Sequence, residues 1–146
     1  GKFSERQKQI YNAVLYVMRE AIKLLKPNVA LKEYRTEVNK IMEQELLKIK
    51  LIDKHDIKKQ DPKNPAYKKY FMHGVSHYLG LDVHDVGDMN VKIKQGMIFT
   101  CEPGIYIPEE NLGIRLENDI LITGNGNIDL MENIPVEADE IESHMK

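Results

Sequence analysis

The sequence predicts an α+β fold. Two amphipathic helical stretches come first, a lysine-rich connector with two prolines follows, and glycine-punctuated apolar strands fill the remainder. At 146 residues the chain has the size of one ordinary domain.

Each element has its own cue. Ser4 reads as an N-cap, and Gln7 three residues later completes a capping box. Ile10, Val14, Val17, Ala21 and Leu24 then recur on one helical face, until Pro27 and Asn28 end the helix. A second stripe runs through Leu31, Tyr34, Val38, Ile41 and Ile49. Such stripes are packing faces, so neither helix is expected to carry chemistry. Residues 53–70, with Pro62 and Pro65, read as a connector with little regular structure, and Lys68–Lys69 as a solvated surface. After Tyr70, β-branched residues cluster. Met97–Cys101, Gly104–Ile107 and Arg115–Ile122 read as strands. Gly124-Asn125-Gly126-Asn127 is a turn signal that joins Ile120–Thr123 to the segment from Ile128 in a hairpin. The acidic tail from Glu137 suits a short terminal helix.

Composition narrows the function classes. With 42% hydrophobic and 30% charged residues, the chain can bury a core and is not of disordered type. A net charge of -2 argues against a nucleic-acid partner. No apolar run approaches the roughly 20 residues that cross a bilayer, so no membrane partner is expected. The chain opens without a signal-peptide pattern. Cys101 is the only cysteine, so no internal disulfide forms and a reducing, cytoplasmic setting is expected.

The chemistry concentrates after residue 70. Three of the five histidines, His73, His77 and His84, fall within twelve residues. Imidazole is both a metal ligand and an acid or base near neutral pH. His73 and His77 are spaced to share a helical face, but Gly74 and Gly80 argue for a tight loop or single turn, followed by a short strand carrying His84. A lone histidine is more often structural than functional; three beside glycines point to a site. Glu102 directly follows an apolar strand, and Glu117 alternates with apolar residues so that it shares a face with Arg115. Glu117 then either faces solvent or lines a concave sheet as a ligand. A buried carboxylate is costly unless it meets a cation.

Three blocks in order carry a family resemblance: HGVSHYLGLDVHDVGD (73–88), FTCEPGIYI (99–107) and GIRLENDILIT (113–123), followed by NIPVEADEIE (133–142). Together they resemble the Xaa-Pro aminopeptidase (aminopeptidase P) and prolidase family, metallopeptidase family M24, and the likeness covers essentially the whole chain. Ser76 in HGVSH is closer to aminopeptidase P than to prolidase, which tends to carry glycine there. The resemblance implies a pita-bread fold: two similar α-plus-β halves about a pseudo-twofold axis, with helices packed on a curved, mostly antiparallel sheet. Residues 1–146 match the C-terminal part of that catalytic domain, without the N-terminal half.

The family binds two divalent metal ions, usually manganese, with zinc and cobalt as alternatives. By position, His77 is the histidine ligand, Glu102 a ligand and general base, and Glu117 the bridging ligand. His73 and His84 resemble the histidines that contact substrate and stabilise the tetrahedral intermediate, and Arg115 a site-lining arginine. The family's two aspartate ligands lie on a hairpin that ends just before a stretch resembling Gly1–Ser4, and a further histidine lies upstream of them. No motif offers Asp82, Asp85, Asp88 or Asp119 as a substitute. The expectation for this chain alone is therefore at most one weakly bound metal and no activity. The implied substrate is a peptide with proline at the second position. Homo-oligomerisation is expected, because a missing half leaves an uncovered sheet edge. An Xaa-Pro dipeptidase and a non-catalytic pita-bread interaction module remain as alternatives. Retention of His77, Glu102 and Glu117 together argues against the module.

Overall fold

A computed structural model describing residues 1–145 opens with helix α1, Glu5–Leu24. The Ser4 hydroxyl accepts from the Gln7 amide at 3.2 Å, and the Gln7 side chain accepts from the Ser4 amide at 2.8 Å, the reciprocal cap its sequence implies. Ile10, Val14, Val17 and Ala21 are buried, and Leu25 rather than Leu24 closes the face. Helix α2, Leu31–Lys48, packs on α1 through Leu31, Tyr34, Val38, Met42 and Leu46. Met42 takes the place expected of Ile41, because steps of four along the helix keep the contact row on one face.

The stretch 53–70 is more regular than its composition suggests. It holds a short helix α3, Lys54–Lys59, and a 3₁₀ turn, Ala66–Lys69. The Asp53 carboxylate accepts from the amides of His55 (2.7 Å) and Asp56 (2.8 Å), and Asp56 accepts from the Asp53 amide. This capping box organises a polar segment that lacks an apolar stripe.

Five strands follow: β1 (Ile98–Cys101), β2 (Gly104–Ile107), β3 (Leu112–Arg115), β4 (Asn118–Ile122) and β5 (Asn127–Asp129). They form two antiparallel sheets, β1-β4-β5 and β2-β3. The expected single strand Arg115–Ile122 is instead divided at Leu116 and Glu117. The pairing register nevertheless continues across the division. Cys101 pairs with Asn118 on one side and Gly104 with Arg115 on the other. The two sheets are thus one long hairpin with a crease, in which Glu102 falls opposite Glu117 and Pro103 opposite Leu116. Proline has no N–H to give the ladder. Leu116 donates to the Pro103 carbonyl at 3.3 Å, and proline cannot return a bond.

No strand carries His84. Residues 75–79 run beside β1 instead, through Leu79 N–H to Ile98 O (3.2 Å), Thr100 N–H to His77 O (3.1 Å) and Glu102 N–H to Val75 O (2.8 Å). The chain then loops out, and the Asp85 amide closes the loop on the Tyr78 carbonyl at 3.1 Å. The Asp85 carboxylate accepts from the Leu81 amide and lies where a side chain on Gly80 would stand, so any larger residue there would displace it. Phe71, Phe99, Ile105 and Ile120 complete the core beneath α1 and α2. The tail forms α4, Ala138–His144, which packs on α1. Among the described residues no helix is long and apolar enough to cross a membrane.

Candidate metal centre

The crease places two carboxylates face to face. Like charges directly opposite on an antiparallel pair are destabilising. A cation between them would relieve this opposition, and the surrounding groups show where it would sit.

His77 comes from the segment beside β1. Its Nδ1 lies 2.8 Å from the Tyr78 carbonyl oxygen. A carbonyl only accepts, so Nδ1 carries a proton, and in the neutral ring Nε2 presents a lone pair. That lone pair is 3.4 Å from Glu102 Oε1. In the neutral ring two acceptors would face each other there, a gap that a cation would fill. One donor atom each from His77, Glu102 and Glu117 lies within 4.8 Å of the others. The side chains of His77 and Glu102 are 19% and 12% exposed, whereas Glu117 is exposed. This donor set fits a divalent cation: one imidazole nitrogen, two carboxylates and an open side. The second ring nitrogen bound to a backbone carbonyl is also the usual way a ligating histidine is oriented. Two carboxylates neutralise one dication; a second would need further anionic ligands.

The other predicted residues surround this centre in different ways. Arg115 Nη1 stands 3.8 Å from Glu102 Oε2, a distant ion pair on a half-exposed side chain. The His84 ring meets the His77 ring edge-on with centroids 4.3 Å apart, although His84 itself is exposed on the loop. His73 is held by two contacts. Its Nδ1 donates to the Gly74 carbonyl at 2.7 Å, which leaves Nε2 to accept from the Tyr106 hydroxyl at 2.8 Å.

Two participants were not singled out from sequence, Tyr106 and Thr100. The cue was present: residues 100, 102, 104 and 106 alternate onto one face of an extended chain. The Tyr106 side chain folds back over Gly104, where an added Cβ would stand 2.7 Å from its hydroxyl. Cys101, between Thr100 and Glu102, points the other way into the core. Burial pushes its thiol up to about 12, which leaves no thiolate to act as ligand or nucleophile near neutral pH. A second acidic group, Asp53, His55 and Asp56, is exposed, and its Asp53 carboxylate is committed to capping α3.

Comparison with known proteins follows the same lines. The metallopeptidase family M24 matches residues 1–124. The Xaa-Pro aminopeptidase of Escherichia coli is 40% identical over 99% of this chain and 35% of its own length. Two solved structures of E. coli aminopeptidase P, one zinc-substituted in complex with product and one with the inhibitor Pro-Leu, each match with a TM-score of 0.85 at 37% identity, over 99% of this chain and 35% of theirs. The chain thus spans about a third of the length of the relatives it matches.

Proposed function

Because this chain belongs to metallopeptidase family M24, we propose that it supplies the histidine and glutamate side of the metal centre of an Xaa-Pro aminopeptidase, which removes an N-terminal residue preceding proline. The observation that carries this reading is the convergence of His77 Nε2 with the carboxylates of Glu102 and Glu117. The relatives' names and the Pro-Leu complex support a peptide substrate with proline in second position.

In this reading His77, Glu102 and Glu117 hold divalent metal, manganese in the first instance, with zinc and cobalt able to replace it. The complete protein would hold two ions, and these three residues alone would hold one, weakly. A bound dication supplies Lewis acidity toward the peptide carbonyl and toward water. The chain's own residues do the rest. Glu102 accepts a proton from the attacking water and passes it to the prolyl nitrogen as the C–N bond breaks. Tyr106 donates to His73 Nε2, which orients that ring at the rim of the site. His84 and Arg115 flank the site from the loop and the crease and contact the substrate.

The test uses the complete protein. Manganese-dependent cleavage of an Xaa-Pro-Xaa tripeptide is expected, with a large loss in Glu102→Gln. Cleavage confined to Xaa-Pro dipeptides would favour a dipeptidase instead, and metal-independent behaviour would refute the reading. The 146-residue chain expressed alone is expected to show no turnover even with added manganese. A rate on the order of 10 per second, ordinary for enzymes, would show that other residues complete the site.

The reading also includes self-association. Among the described residues β5 is the edge strand of its sheet, with Ile128 exposed on it and Leu130 and Ile134 exposed just beyond.

A further inference from the structure

We propose that Thr100 is a positioning residue that sets Glu102 and His77 relative to one another; this rests on the ligand assignment above. Thr100 is 1% exposed, one of the few buried polar side chains in the chain. Its hydroxyl accepts from the His77 backbone N–H at 3.1 Å and donates to Glu102 Oε1 at 3.4 Å. Its own backbone N–H is bound to the His77 carbonyl at 3.1 Å.

The direction of these bonds is determined. An amide can only donate, so the hydroxyl must accept from His77. A hydroxyl has one proton, which then remains for the carboxylate. Water cannot take over this role at a site with so little exposure. The 3.4 Å contact is at the long end for an O–H···O bond, so it steers the carboxylate and does not clamp it. Steering is sufficient for an outer partner. Glu102 Oε1 is the oxygen that faces His77 Nε2, while Oε2 faces Arg115. Losing the hydroxyl frees the carboxylate to rotate and leaves the His77 amide without a partner on the opposite side of the same contact. Outer partners of metal ligands typically influence affinity 10–100-fold.

The experiment is cobalt(II) titration of the complete protein, read by its visible absorption, in wild type, Thr100→Val, Thr100→Ser and Glu117→Gln. Valine keeps the shape and removes the hydroxyl; serine keeps the hydroxyl. The expected result is a loss of roughly tenfold or more in cobalt affinity and an altered band in Thr100→Val, with Thr100→Ser within about threefold of wild type. Faster amide exchange at His77 in Thr100→Val alone is expected alongside. Unchanged cobalt affinity and spectrum in Thr100→Val, with binding lost in Glu117→Gln, would overturn the positioning role and leave the ligands standing. This holds even if the valine variant melts at lower temperature. A complete wild-type protein that binds no cobalt, or binds it equally in Glu117→Gln, would overturn the ligand assignment and this inference with it.

Discussion

At the scale of single residues, the centre depends on the tautomer of His77. The Tyr78 carbonyl accepts from Nδ1–H, and in the neutral ring Nε2 is then the atom that would ligate a metal beside Glu102. A cation between the three groups would relieve the opposition of Glu102 and Glu117, so in the proposed reading removing one carboxylate weakens metal binding more than it weakens the fold. Glu117→Gln is expected to lower divalent-metal affinity at least about tenfold. Its effect on metal-free stability should stay within about 0.5 kcal/mol, the usual range for an exposed site. Calorimetric metal titration and thermal melts would check the pair of values. Cys101 gives an independent prediction. Its thiol is buried and its pKa is raised to about 12, so thiolate is scarce in the folded state at pH 8. Labelling by a disulfide reagent at that pH is expected to proceed only at the rate of unfolding; rapid labelling of native protein would refute the buried placement.

At the scale of elements, caps and breaks decide where regular structure stops. Helix α3 exists because Asp53 satisfies two orphan amides. Those bonds, to Asp56 first and His55 second, hold the Asp53 carboxyl below the usual aspartate range. A depressed folded-state pKa means the cap contributes above the unfolded value, about 4, and is lost as pH falls through the lower folded value. Amide protection at His55 and Asp56 should therefore persist at pH 4 and fade only at more acidic pH. Loss of protection already near pH 5 would contradict the capping geometry. The crease works in the opposite direction. Pro103 interrupts a ladder that alternation alone would have continued through Leu116 and Glu117, while the unbroken register keeps Glu102 opposite Glu117.

For the whole molecule, most of the large exposed apolar side chains among the described residues lie in two stretches, with Tyr16, Met72 and Met145 elsewhere. Leu81, Val83 and Val86 flank His84 in sequence on the loop after Gly80, and Ile128, Leu130 and Ile134 lie along and beyond β5. Both invite burial against a second surface, since apolar area is stabilised when removed from water. Sedimentation at micromolar concentration is expected to show a concentration-dependent dimer or larger species. A clean monomer across that range would remove homo-oligomerisation from the reading.

Local signals were enough for α1 and for the β4–β5 hairpin, and they singled out His77, Glu102 and Glu117, which converge in the fold. The Ser4–Gln7 cap, the Gly124–Asn127 turn and the three-block pattern each act through neighbours in sequence. Other features depend on residues distant in the chain. The burial of Met42 in place of Ile41 depends on how α2 lies against α1. The division of the last long strand depends on Pro103, thirteen residues before Leu116. The loop that carries His84 depends on Asp85 reaching back to Tyr78 and Leu81. The order of His77, Thr100 and Glu102 depends on residues 75–79 pairing with β1. Alternation and capping are properties of a single segment, so sequence alone determines them. A ligand's direction and a strand's end are set by what the facing segment can donate or accept, and only the tertiary structure decides that.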